Sequence, residues 1–170
     1  QMPINKVRTH DKYSKGGGVC IYIREGLQYN KKKKKNTSPI EVIAVNIYGI
    51  SENITIYNCY ANKPEVNTIN NYKEIFQNLD HNTVIVGDFN LKHICWNPEN
   101  DFRCNLEADL LLTFLDDNNL NYLNDGQATR ISDGYSSDSA LNLAIISAHL
   151  HHQAEFYVFD TTLGDRKSVV

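Results

Sequence analysis

The sequence predicts an α/β protein in which two mixed sheets pack together and are covered by helices. Three observations carry that expectation. The segments read in order as strand, strand, strand, helix, strand, helix, strand, strand, so hairpins stand beside crossovers and a single doubly wound sheet does not fit. The second and third strands are joined only by the short polar link 50–52, which makes them an antiparallel hairpin. At 170 residues, with 41% hydrophobic and 22% charged types, the chain is long enough for one core and too short for two comfortable domains. A single domain over 1–170 is expected.

Alternation and β-branching mark the strands "GVCIYIR" (18–24), "EVIAVNIYG" (41–49) and "NITIYNCYA" (53–61). The lysine run Lys31 to Lys35, between the first two, reads as a solvated loop tip. In "NTINNYKEIFQNL", Ile69, Tyr72, Ile75, Phe76 and Leu79 fall on one helical face, with Asn67 as N-cap. The strand "TVIVGDF" (83–89) follows. In "NLEADLLLTFLDDNN", Leu106, Leu110, Leu111, Phe114 and Leu115 share a face, Asn105 is the N-cap, and Asn118 and Asn119 end the helix. Glu107 and Asp109 place negative charge on its first turn, where the dipole favours it. The strands "LNLAIIS" (141–147) and "AEFYVF" (154–159) close the order.

A net charge of −3 excludes a protein held on nucleic acid by a basic surface as a whole, so any DNA contact has to be local. The four cysteines form no CxxC pair, and three sit in the apolar or aromatic context of buried reduced thiols, which argues against zinc. No apolar run reaches the length of a membrane span and the N-terminus lacks the apolar core of a signal peptide, so the chain reads as soluble, intracellular and not secreted. His149, His151 and His152 read as an exposed loop and not as a metal cluster.

Asp88 and Asn90 sit two positions apart where "TVIVG" ends, a spacing that in a strand puts both side chains on one face. A carboxylate beside an amide suits a phosphate: the first can bind a divalent cation or position a water, and the second can donate to a phosphoryl oxygen. By itself Asp-x-Asn reads first as an Asx turn closing a buried strand.

The longer string "GDFNLKHICWN" resembles the "GDFNAKHxxWG" signature of the endonuclease domain of non-LTR retrotransposons, a branch of the endonuclease/exonuclease/phosphatase superfamily that also holds the abasic-site endonucleases. Asp88, Asn90, His93 and Trp96 fall on it. "YSKGGGVCIYIREGL", "IYNCYANKP" and "QATRISDGYSSDSALNLAIIS" resemble, in order, the family's Gly-rich strand entry, its strand carrying an active-site tyrosine, and its Thr-Arg segment followed by "SxIDLxLVS". The resemblance implies a four-layer α/β/β/α sandwich of two mixed sheets and Mg²⁺-dependent hydrolysis of DNA phosphodiesters. In the retrotransposon case, that nick primes reverse transcription in the nucleus. Asp88 and Asp165 would hold the metal, with Asp88 also positioning water. Asn90 and Tyr60 would steady the phosphate. Thr129, Arg130 and His93 would touch DNA. A reverse transcriptase domain in the same ancestral polyprotein is the implied partner.

Three departures stand against this pattern. The family's N-terminal strand-helix-strand, with its metal-binding glutamate, is missing before the Gly-rich segment, so a truncated domain is expected. Asn142 stands where the family has an aspartate that orients a histidine, and in "GDRKSVV" the histidine itself is replaced, by Arg166 if one residue is deleted and by Lys167 without a gap. An arginine stays protonated and cannot cycle a proton at neutral pH. The expectation is a degenerate, impaired endonuclease domain. The alternatives are a non-catalytic nucleic-acid-binding module and a non-functional mobile-element fragment.

Overall fold

The computed structural model describes residues 4–8, 18–32, 39–49, 52–61, 68–98, 102–131, 138–162 and 167–169. In chain order the elements are strands β1 (Ile4–Arg8), β2 (Cys20–Arg24), β3 (Gln28–Lys31), β4 (Glu41–Tyr48) and β5 (Ile54–Tyr60), helix α1 (Ile69–Phe76), strand β6 (Thr83–Asp88), helix α2 (Leu106–Asp117), strands β7 (Leu120–Tyr122) and β8 (Asn142–Ser147), a 3-10 helix (Ala148–Gln153), and strands β9 (Val158–Thr162) and β10 (Lys167–Val169). One six-stranded sheet runs β3-β4-β5-β6-β8-β7, and β1-β2 and β9-β10 form two-stranded sheets. The mixed α/β expectation is met. The chain divides into two compact units, Gln1–Gly87 and Asp88–Val170.

In the first unit the expected hairpin is present. β4 and β5 pair antiparallel from Glu41 opposite Tyr60 to Ile47 opposite Ile54. Side chains alternate across β5, so its two faces build different layers. Ile56 and Tyr60 pack, with Ile43, Val45 and Ile47 of β4, against Val19 and Ile23 from β2 and the residues leading into it. Tyr57 belongs to the opposite face of β5 and meets Phe76 of α1 edge-on, ring centroids 5.9 Å apart. β4 is buried along most of its length because both faces are covered. α1 is shorter than its periodicity suggests and its N-cap is Thr68; Asn67 lies outside the described residues. Asn71 Oδ1 accepts the Thr68 N–H at 2.8 Å, the returning arm of a capping box.

In the second unit α2 begins after Asn105 and ends at Asn118, as expected, but the cap works differently. Asn105 Oδ1 accepts the Lys92 N–H at 2.6 Å and does not serve the helix, while its carbonyl accepts the Ala108 N–H. α2 buries Ala108, Leu111, Phe114 and Leu115. Leu106 and Leu110, expected on the core face, are 69% and 39% exposed. β7 and β8 pair antiparallel from Leu120 opposite Ser147 to Tyr122 opposite Ile145.

Other expectations need correction. β1, β3, β7 and β10 carry no apolar alternation long enough to announce a strand. β3 is exposed at every position and exists through its ladder to β4, Gln28 opposite Tyr48 to Lys31 opposite Val45. The strand expected at 154–159 begins only at Val158, where β10 supplies a partner. Lys31 ends β3 and Lys32 is not a solvated tip: its ammonium meets Asp80 at 2.7 Å. Lys33 to Lys35 lie outside the described residues. Of the cysteines only Cys59 is buried; Cys20 is half-buried and Cys95 and Cys104 are exposed, all as free thiols. The histidines 149, 151 and 152 fall on the 3-10 helix. Among the described residues, no helix is long and apolar enough to cross a membrane.

Candidate functional site

The "GDFN" string closes β6 through a glycine that no other residue can replace cheaply. Gly87 has φ +144°, and a Cβ there would collide with the Cys59 backbone carbonyl. β6 ends one residue later, at Asp88. Asn90 lies beyond the strand in the left-handed region, φ +51°, so the two-residue pleat does not set its direction. A turn sets it: Asp88 Oδ1 accepts the Asn90 N–H at 3.1 Å. This is the Asx turn that the short motif suggests by itself. Asp88 is 9% exposed and Asn90 half-buried.

Three sequence-distant segments meet at this turn within the second unit. The Phe89 N–H donates to the Leu141 carbonyl at 3.0 Å, which sets the turn beside the entry to β8. Thr129, fully buried, accepts the Leu141 and Asn142 N–H groups on its Oγ1, both at 3.1 Å. Arg130 pairs by backbone with Ser139, its N–H donating to the Ser139 carbonyl at 2.9 Å and its carbonyl accepting the Ser139 N–H at 3.0 Å. That bridge leaves the Arg130 side chain exposed. Asn124 imitates a strand neighbour: its Nδ2 donates to the Asn142 carbonyl and its Oδ1 accepts the Ala144 N–H, each at 2.9 Å. Sequence reading missed Asn124, because an isolated asparagine after a three-residue strand carries no signal of its own.

His93 and Trp96 brace the turn from its far side. Trp96, fully buried, donates its indole N–H to the Leu91 carbonyl at 3.1 Å, one residue past Asn90. His93 Nδ1 accepts the Cys95 N–H at 3.1 Å, so the ring proton sits on Nε2, which faces Asp109 Oδ1 at 3.0 Å. Expected at DNA, His93 is 7% exposed and has both ring nitrogens engaged by the protein. Near this brace, burial and the hydrogen bond with Cys95 raise the Tyr122 hydroxyl above its ordinary pKa.

Tyr60 is the last residue of β5 and belongs to the first unit, half-buried against its apolar cluster. Asp165 and Arg166 lie outside the described residues. Among the described residues no group of three His, Cys, Asp or Glu side chains could hold a metal ion, and one Asp88 oxygen is committed to Asn90.

A family model described as endonuclease-reverse transcriptase matches residues 54–168. The chain belongs to the endonuclease-reverse transcriptase family. Its fold is that of the endonuclease/exonuclease/phosphatase superfamily. The solved endonuclease domain of TRAS1, a telomere-specific non-LTR retrotransposon, aligns with TM-score 0.75 and 17% identity over 98% of this chain and 76% of that one. An endonuclease/exonuclease/phosphatase family protein from Leptotrichia buccalis aligns with TM-score 0.59 and 14% identity over 99% of this chain and 70% of that one. No curated protein matches the chain. In this endonuclease-reverse transcriptase chain, residues 54–168 include the Asx turn, the Thr129 bridge, the Asn124 clamp and the His93–Trp96 brace.

Proposed function

We propose that the chain is a nuclease-type phosphodiesterase domain of retrotransposon endonuclease descent, directed at DNA and impaired in hydrolysis. The observation that carries this reading is the meeting of "GDFN", Thr129-Arg130 and the start of β8 through the Phe89–Leu141 and Thr129 hydrogen bonds. Asp88 is the carboxylate that would orient an attacking water, and the Asn90 amide is the donor for a phosphoryl oxygen. Thr129 acts by holding the Asn142 backbone, and Arg130 offers a guanidinium to a backbone phosphate.

The impairment rests on residue chemistry. Asn142 replaces a carboxylate with a neutral amide, which cannot offset imidazolium charge. An equivalent change in a serine-protease triad, a worked case in enzymology, lowers turnover about 10⁴-fold. Arg166, or Lys167 in the ungapped register, in place of a histidine removes the proton carrier. A supercoiled plasmid incubated with the protein and Mg²⁺ is expected to show no nicking above background. Mg²⁺-dependent nicking that Asp88→Ala abolishes would overturn the impairment and keep the phosphodiesterase reading. Absence of both nicking and DNA binding would sink the reading as a whole.

The exposed Arg130 favours a second reading, a DNA-binding module without chemistry. A salt-dependent gel shift with no nicking is its expected signature.

A further inference from the structure

The outward face of α2 presents apolar side chains that the fold leaves uncovered. At about 100° per residue, Leu106 and Leu110 lie within about 40° of each other, opposite Ala108, Leu111 and Leu115. Leu106 is 69% exposed and Leu110 39% exposed, and two further large apolar side chains flank them in sequence or by tether, Phe102 at 76% and Ile94 at 59%. Ile94 is held to this end of the helix by two contacts. Lys92 and Asn105 exchange hydrogen bonds of 2.6 and 2.9 Å, and His93 reaches Asp109 at 3.0 Å.

Charge on the same helix selects what could cover this face. α2 contains Glu107, Asp109, Asp116 and Asp117 and no lysine or arginine. Asp117 falls between Leu106 and Leu110 on the wheel, with Asp109 and Asp116 beside them. The last turn has no basic residue, so Asp116 and Asp117 sit against the negative end of the helix dipole. Nucleic acid is repelled by such a face, and a second copy would set four acids against four.

We propose that the outward face of α2, with Ile94 and Phe102, docks a protein segment that is an amphipathic helix with apolar residues at helical spacing flanked by lysine or arginine. The apolar side chains of the partner cover Leu106 and Leu110, and its cations answer the acids that the helix dipole disfavours. This surface does not depend on whether the chain hydrolyses DNA.

The test uses a fluorescein-labelled 18-residue helical peptide with leucines on one face and lysines along its flanks, and a twin with glutamates replacing the lysines. Fluorescence anisotropy with the full chain is expected to show saturable binding of the lysine peptide. Binding should weaken at least tenfold in the Leu106→Ser/Leu110→Ser double variant and at high salt, and the twin should not bind. A control that removes two acids outside α2, Asp125→Asn with Glu155→Gln, is expected to bind as the parent does. Methyl NMR shifts confined to Ile94, Leu106 and Leu110 would support the site independently, and circular dichroism confirms that the variants fold. No binding, equal binding by the twin, equal loss in the control, or shifts elsewhere overturns the proposal. So does a dimer in sedimentation that the leucine substitutions dissociate.

Discussion

Thr129 shows how much one buried hydroxyl can organise. Its Oγ1 is the acceptor for two consecutive N–H groups at the entry to β8. Thr129→Val keeps the shape and strands both donors, so unfolding experiments should show a loss of about 1–3 kcal/mol. Thr129→Ser keeps the acceptor and should recover most of it. Equal losses in the two variants would mean that the methyl group matters and the hydroxyl does not. Gly87 is constrained by backbone. Gly87→Ala requires a strained φ and a shift of β5 at Cys59, a combined cost of about 2–5 kcal/mol. A thermal midpoint unchanged from the parent would contradict that account.

At the scale of elements, short strands survive here through side-chain splices. β7 has three residues, yet Asn124 extends its pairing with β8 by two further hydrogen bonds. Asn124→Leu leaves the Ala144 N–H and Asn142 carbonyl unmatched and should cost about 2–4 kcal/mol, with hydrogen exchange faster in β8 than in α1. The end of β3 is fastened in another way. Lys32 meets Asp80 at 2.7 Å and lies 5.9 Å from the Tyr57 ring centroid, and Thr55 donates to the same Asp80 oxygen at 2.5 Å. Burial works against the Lys32 ammonium, but the Asp80 hydrogen bond and the Tyr57 hydroxyl outweigh it and raise its pKa above the ordinary 10.5. Burial raises Tyr57 above 10.0, partly opposed by Lys32. Both groups hold their protons more tightly when folded. Their contribution is therefore complete below the unfolded values and is lost as pH rises through the folded ones. Urea midpoints should fall above about pH 10, and less steeply in Lys32→Met. An unchanged alkaline slope in that variant would rule Lys32 out as a cause.

For the whole molecule, the net charge of −3 means that DNA, if it is the ligand as proposed, is held by a local patch and not by the surface as a whole. Binding on that reading is expected to be salt-sensitive. Arg130→Ala should weaken it for all sequences alike and reduce the slope of log K against log salt by about 1. Sequence-selective loss would place Arg130 against bases instead of phosphates. The single tryptophan, Trp96, is fully buried and gives a direct probe of the second unit, because its emission should shift to the red only when the brace around Leu91 opens.

The sequence by itself determined the α/β class, the β4–β5 hairpin, the boundaries of α2 and the string that carries Asp88 and Asn90. These follow from local periodicity, turn chemistry and a long contiguous motif, all of which can be read along one stretch of chain. Tertiary structure decided the rest. Asn90 takes its direction from a left-handed turn and not from a pleat, since β6 stops at Asp88. His93 belongs to a buried brace because Asp109 and the Cys95 amide occupy its two nitrogens. Leu106 and Leu110 continue the apolar spacing of α2 yet face outward, because periodicity shows that a side chain is apolar and only packing shows which of two apolar faces the core covers.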